Sequence, residues 1–161
     1  MMKIEDLLEY DPETGKLSWR VKRGRCAAGS EAGTIGSYGY REIAVDGKKL
    51  KAHRIAWYLT YGQWPDDEID HIDRNRANNA LKNLRLASLQ QNRWNTGQRK
   101  DSRSPFKGVV YEKRTGKWIA HIKVNGRYKH LGTFLTAEDA AAAYQTAASE
   151  LRGDFVPVVP Q

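Results

Sequence analysis

The sequence predicts an α+β fold in two units: an N-terminal unit of short strands and helices over residues 1–95, and a three-stranded antiparallel sheet packed on one helix over residues 105–154. Three observations predict it. Short strand-like runs are joined by two-residue turn signals, Asp46-Gly47 in the first half and Asn125-Gly126 in the second. Each set of strands is followed by a run with helical spacing. Between the two sets, residues 96–104 lack periodicity and are polar and basic, the composition of a linker that stays mobile until a polyanion neutralises it. A tail at 155–161 carries two prolines and reads as extended.

Within the first unit, residues 3–9 space Ile4, Leu7 and Leu8 as one face of a short helix. Asp11-Pro12-Glu13-Thr14-Gly15 is turn chemistry. Lys16 to Val21 alternates like a strand, and residues 22–37, rich in Gly, Ala and Arg, read as a loop. Tyr38 to Val45 and Lys48 to Lys51 form a predicted hairpin around Asp46-Gly47. Ala52 to Tyr61 has helical spacing, with Ile55, Tyr58 and Leu59 on one face and Gly62 and Pro65 ending it. Glu68–Ile72 and Leu84–Ala87 are two short strands around a polar loop, and Ser88 caps a helix carrying Gln91 and Asn92.

In the second unit, Phe106–Tyr111, Lys117–Val124 and Arg127–Phe134 are the three expected strands, with Thr115-Gly116 and Asn125-Gly126 at their turns. Thr136 caps the following helix, with Asp139 in a capping-box position, and Gly153 follows its end. Ala140, Ala143, Tyr144, Ala147 and Leu151 are expected to line its inner face.

Charge separates the two halves. From Arg93 to Lys129 there are eleven Lys and Arg against two Asp and Glu, a surplus of nine where the whole chain carries +8. That concentration, with a pI near 9.6, points to nucleic acid as the partner. One cysteine, Cys26, rules out an internal disulfide and a zinc site built from several cysteines. This fits a reducing cytoplasm. No run approaches the apolar length of a membrane span, so no membrane association is expected. Glu5 and Asp6 come too early for a secretory signal.

The chemistry concentrates in Ile69-Asp70-His71-Ile72, Asn83-Leu84-Arg85-Leu86 and Asn92. Asp70 offers a hard oxygen to Mg²⁺, or to Mn²⁺, and Asn92 a neutral amide oxygen. Two protein ligands leave positions for water and a phosphate oxygen, so one divalent ion is expected here. His71 has the ordinary pKa of a general base near neutrality and must be neutral to act. Asn83 is placed to orient the imidazole or to tie down the loop. Adjacent strand residues point to opposite faces, so Asp70 and His71 share a site only where the strand twists or ends. Alternatively, an Asp-His pair is a turn feature, and the asparagines serve left-handed backbone. His53 reads as a buried, hydrogen-bonded histidine closing its helix onto the site, or as part of the site itself; His121 and His130 have no carboxylate partner suggesting metal.

The stretch from His53-Arg54 through Glu68-Ile69-Asp70-His71-Ile72-Asp73, Asn78-Asn79 and Asn83-Leu84-Arg85 to Gln91-Asn92 resembles the HNH endonucleases, and within them the phage and intron-homing branch. In that branch an Asp-His is followed by Asn twelve residues on and by a second Asn nine further. Here Asn83 and Asn92 stand at those distances. The opening Glu-Tyr-Asp-Pro-Glu-Thr-Gly-Lys-Leu-Ser-Trp is similar to the start of phage members, and the likeness spans roughly residues 5–95. The resemblance implies a ββα-metal core at about 66–95 around one metal. Asp70 and Asn92 would be its ligands, His71 the general base and Asn83 a supporting catalytic residue.

In the second unit, Trp118, Ala120, Ile122 and Val124 alternate onto the face toward the helix, and Lys117, Ile119, His121 and Lys123 onto the other. Leu131 points inward, Tyr128 and His130 outward. Phe106-Lys107-Gly108-Val109, Gly116-Lys117-Trp118-Ile119-Ala120, Leu131-Gly132-Thr133-Phe134 and Thr136 to Tyr144 are similar to the plant APETALA-two and ethylene-response-factor domain. That resemblance implies a sheet laid in the major groove of duplex DNA. Where plant members use arginines and a third-strand Trp, this chain has Lys107, Val110, Lys123 and His130, so the plant target sequence does not carry over. The residues expected to meet DNA are Lys107, Lys113, Arg114, Lys117, Ile119, His121, Lys123, Tyr128 and His130, with Arg93, Arg99, Lys100 and Arg103 from the linker and its flanks. The expected protein is a metal-dependent homing-type DNA endonuclease, a monomer or weak dimer that nicks one strand per encounter. A regulator that binds DNA without cutting is the alternative.

Overall fold

The computed structural model describes residues 3–97, 103–124 and 126–155. The predicted linker positions Arg99 and Lys100, the turn residue Asn125 and the tail beyond Phe155 lie outside the described residues. The chain divides into two compact units between Asn92 and Arg93.

The first unit opens with α1 (Ile4–Leu7), which stops earlier than its helical spacing predicts. Leu8-Glu9-Tyr10 instead forms β1, paired antiparallel with β2 (Leu17–Trp19) across the Asp11–Gly15 turn. Turn and partner strand outweigh the local helical pattern, as four residues of helix hold few hydrogen bonds of their own. Within the predicted loop 22–37, β3 (Thr34–Ile35) pairs with β4 (Arg41–Val45), and β4 with β5 (Lys48–Lys51). The β4–β5 turn is Asp46-Gly47 as predicted, at φ 48° and 78°, the left-handed pair that a two-residue hairpin needs. Leu7, Leu8, Leu17, Trp19, Ile43 and Val45 pack with Ala52 and Ile55 of α2 (Ala52–Tyr61) into the main core.

Beyond α2 come β6 (Glu68–His71) and β7 (Leu84–Ala87), antiparallel, with Asp70 opposite Arg85 and His71 opposite Leu84. Ile72 leaves the strand one residue earlier than predicted. Ile69 and Leu84 pack on Ala56, which fixes this hairpin to α2. Each such side chain contributes about 1.5–3 kcal/mol on burial. α3 (Leu89–Trp94) follows, capped reciprocally: Ser88 Oγ accepts from the Gln91 N–H at 3.3 Å, and Gln91 Oε1 from the Ser88 N–H at 2.8 Å.

The second unit is a sheet in the order β10-β9-β8 (Arg127–Phe134, Lys117–Val124, Val109–Glu112) backed by α4 (Ala137–Arg152). β8 starts three residues later than predicted. Thr136 caps α4, its Oγ1 accepting from the Asp139 N–H at 3.1 Å. Val109, Ala120, Ile122, Ala140, Tyr144 and Ala148 form the core, with Trp118, Val124 and Leu131 packed against it. Leu151 departs from its predicted inward place and is 45% exposed, whereas Arg152 is 9% exposed. The inner face runs Ala140, Tyr144, Ala148, Arg152 in steps of four. The Arg152 guanidinium donates to Tyr144 Oη at 2.8 Å and lies 5.3 Å from the Trp94 ring centroid. Among the described residues no helix is long and apolar enough to cross a membrane.

Candidate active site and DNA interface

β6 presents the two predicted reactive residues in different directions. His71 is the last strand residue, 4% exposed, and its ring meets His53 of α2 edge-on with centroids 5.0 Å apart. Tyr40 lies against both imidazoles, at 5.3 Å from His53 and 5.9 Å from His71, and carries Lys51 and Arg76 over its own ring. Asn79 Oδ1 lies 3.2 Å from His71 Nε2. Burial holds the His71 pKa below its ordinary value, although the Asn79 contact and the charges of Asp73 and Asp70 act to raise it. Burial thus favours the neutral ring, the form that accepts a proton. Burial, with His71 close by, takes His53 down to about 3. Its Nδ1 has no hydrogen-bond partner among the described residues, so it is buried as predicted but not bonded at that atom.

Asp70, also 4% exposed, faces its cross-strand neighbour Arg85. Arg85 Nε and Nη2 both reach Asp70 Oδ2, at 2.9 and 2.8 Å. Asn92 on α3 donates from Nδ2 to Glu68 Oε2 at 2.6 Å. Glu68 and Asp70 alternate along β6 and so share a face, which tethers the predicted ligand Asn92 along the strand face that carries the predicted ligand Asp70. A hard divalent ion suits this carboxylate-and-amide pair, with the remaining positions left to water and phosphate. An ion there would share the carboxylate with the Arg85 guanidinium. Among the described residues no cluster of three or more His, Cys, Asp or Glu forms a metal cage.

Asn83, expected to orient the imidazole or to tie down the loop, makes its hydrogen bonds within the loop. Its Oδ1 accepts from the Asp73 N–H at 2.9 Å, and its Nδ2 donates to Asp73 Oδ1 at 2.9 Å and to the Asn78 carbonyl at 2.8 Å. Burial pushes the Asp73 carboxyl up, but hydrogen bonds from Asn78, the Asn75 N–H and Asn83 outweigh it and hold the pKa below the usual range. The residue facing the imidazole is Asn79. Its signal in the sequence is the Asn78-Asn79 pair of the matched pattern, which does not by itself tell one amide from the other. Arg85 was legible as the residue paired with Asp70 once the hairpin register is known. Tyr40 and His53 have no local signal beyond their residue types.

On the second unit, the outer sheet face carries Lys117, Ile119, His121 and Lys123 on β9 and Tyr128 and His130 on β10, as alternation predicts. His121 and His130 are directly opposite. Tyr128 is 70% exposed, edge-on to His121 at 5.1 Å and 5.5 Å from the Lys123 ammonium. Lys113 and Arg114 are exposed at the β8–β9 turn, and Arg93 and Arg103 are exposed near the linker. Lys107 sits elsewhere than expected: its Nζ donates to the carbonyls of Trp94 and Thr96, both at 2.7 Å, which fixes that stretch of the second unit instead of presenting the charge on the sheet.

Comparisons with known proteins fit this division. The HNH endonuclease family model matches residues 50–94 and the AP2 domain model residues 104–154. Protein 3.8 of Escherichia phage T7 is 34% identical over 109 residues, 67% of this chain and 89% of that protein. The chain belongs to the HNH endonuclease family. An uncharacterized HNH endonuclease of Acanthamoeba polyphaga mimivirus is 37% identical over 123 residues, 75% of this chain but only 63% of that protein's length. A solved structure of the HNH homing endonuclease I-HmuI covers 90% of this chain and is itself covered to 77%, at 21% identity and a TM-score of 0.41. By the two family models the chain joins an HNH unit to an AP2 domain, as the two resemblances in the sequence implied.

Proposed function

We propose that the protein is a metal-dependent DNA endonuclease that nicks one strand per encounter, His71 acting as general base and the AP2 sheet holding the duplex. The observation that carries this reading is the buried imidazole of His71 at the end of β6, beside a carboxylate strand face to which Asn92 is tethered. His71 would take the proton from the attacking water. Asp70 and Asn92 would hold the divalent ion, Mg²⁺ or Mn²⁺, which when bound supplies charge stabilisation at the transferring phosphate and the leaving 3′ oxygen. Asn83 would keep the loop after β6 in the shape that presents the base. Lys117, Ile119, His121, Lys123, Tyr128 and His130 would face the major groove, with Lys113, Arg114 and the linker cations Arg93, Arg99, Lys100 and Arg103 on the phosphates. We assign residues 1–95 to the cutting unit and 105–154 to the holding unit, working as a monomer or weak dimer in the cytoplasm, that of a host cell if a phage encodes the chain. One base per chain cuts one strand, and a second cut needs a second chain or a second encounter.

The ion pair of Asp70 with Arg85 favours a second reading, a regulator that binds DNA without cutting, because the carboxylate already has a counter-charge. Supercoiled plasmid incubated with the protein in Mg²⁺ or Mn²⁺ separates the two. Conversion to open circles that stops with chelator supports the enzyme; unbroken supercoils at all metals and pH values support the regulator.

A further inference from the structure

We propose that Asn79 is a positioning residue that locks the ring tautomer of His71, putting the lone pair on Nδ1, and that the β1–β2 turn holds Asn79 in place. The proposal rests on the reading of His71 as the base and names how that base is prepared. The two ends of the Asn79 carboxamide have different partners. Nδ2 donates to the Ala77 carbonyl at 3.2 Å, a contact an oxygen could not make. The atom 3.2 Å from His71 Nε2 is therefore Oδ1, which only accepts. Nε2 must then carry the hydrogen, and in a neutral imidazole the basic nitrogen is Nδ1. When Nδ1 gains a proton, the bond from Nε2 to the amide oxygen becomes charge-assisted and stabilises the imidazolium.

Asn79 is 1% exposed yet lies in a loop without regular structure, so something must fix it. The N-terminal hairpin does so at three points. Tyr10 Oη donates to the Asn79 carbonyl at 2.7 Å, across 69 residues of sequence. Burial, with Asp11 and Tyr61 nearby, pushes the Tyr10 hydroxyl up to about 12, so it remains a donor. The Leu81 N–H donates to the Pro12 carbonyl at 2.8 Å. Gly15, at φ +75°, lies so close that a methyl group there would overlap the backbone of Asn79 and Ala80. The turn is itself tied by Asp11, whose carbonyl accepts from the Gly15 N–H at 2.8 Å. An opening hairpin that carries no reactive group thus sets which nitrogen of the base is basic.

The test uses full-length protein with ¹⁵N-labelled histidine, His71 being assigned by its loss in His71→Ala. Long-range ¹H–¹⁵N spectra should show His71 protonated at Nε2 and bare at Nδ1 in the wild type. In Asn79→Leu the two ring resonances should move toward each other, and kcat for plasmid nicking should fall about 10- to 100-fold with KM nearly unchanged. Asn79→Asp, which keeps an acceptor oxygen, should recover part of the rate. Gly15→Ala, remote from the ring, should move the same spectrum in the same direction. A wild-type His71 protonated at Nδ1, or a spectrum that neither Asn79→Leu nor Gly15→Ala changes, overturns the proposal. Should Asn79→Leu fail to fold, the wild-type spectrum and Tyr10→Phe decide it. Undiminished cutting by His71→Ala instead removes the base reading, while the tautomer stands or falls on the spectra alone.

Discussion

The β6–β7 hairpin and the outer face of the AP2 sheet are both short antiparallel ribbons bearing polar side chains, yet they treat those side chains in opposite ways. On the hairpin, Asp70, His71 and Asn83 are buried, each with named partners: Arg85, Asn79 and Asp73. On the sheet, Lys117, Lys123, Tyr128 and His130 are exposed. Buried polar groups hold one geometry, because leaving any of them unpaired is costly. Exposed cations hold no fixed geometry and act through summed charge. Under the proposed function this difference would separate chemistry from grip: the hairpin would lose function when a single atom moves, and the sheet would lose it gradually as charges are removed.

The largest expected effect breaks the hairpin side. His71→Ala should lower the nicking rate by about 10³-fold or more while leaving the dissociation constant for duplex DNA within about twofold. A matching loss of affinity, measured by titration of labelled duplex, would contradict the separation of chemistry from grip.

Next is the ion pair. Arg85→Ala removes the guanidinium that pairs with the buried Asp70 carboxylate, which should cost about 3–5 kcal/mol of stability. A divalent ion held by Asp70 would offset part of that. Thermal unfolding should therefore show a larger rise in Tm with Mg²⁺ for Arg85→Ala than for the wild type. Equal rises in the two proteins would count against Asp70 as a ligand.

Much of this contrast was legible in the sequence, and the exceptions have physical causes. The Asp46-Gly47 turn, the bounds of α2 and the alternation of β9 follow from local backbone preference and period, which one segment carries by itself. Leu8 to Tyr10 misled because the local helical spacing was overridden by pairing with β2 and by the Asp11–Gly15 turn between them. Asn83 and Asn79 have the same chemistry, and which amide faces the imidazole depends on contacts from Tyr10, Pro12 and Gly15, far away in sequence. Arg152 takes an inner helix position because Tyr144 and Trp94 receive its guanidinium, which hydrophobic periodicity does not anticipate. Lys107 was read from a family position, while its local surroundings supply carbonyls that capture the ammonium.

On the sheet, effects should be graded. Replacing Lys117 and Lys123 together by Gln removes two cations, so the slope of log K against log salt for duplex DNA should flatten by about 2. Plasmid nicking at saturating protein should remain near the wild-type rate. An unchanged slope would mean that these lysines do not lie on phosphates.

The smallest expected effect comes from the histidine pair. His121 and His130 are opposite each other, with Lys117 and Lys123 on the same face of β9, Tyr128 beside His121, and Glu112 across from Lys117 on β8. Burial, and then His130, hold the His121 pKa below its ordinary value. Protonation adds positive charge to the sheet, and DNA phosphates favour the protonated ring. Affinity should accordingly rise as pH falls through the range of His121, which lies lower than that of a free imidazole. The gain should be a few-fold, because one charge joins a face that already carries several. His121→Gln with His130→Gln should flatten the pH dependence of duplex binding between neutrality and mildly acid conditions while the lysine-dependent salt slope persists. If the pH dependence survives in that variant, the titrating groups are elsewhere, and the graded grip of the sheet is then set by its lysines alone.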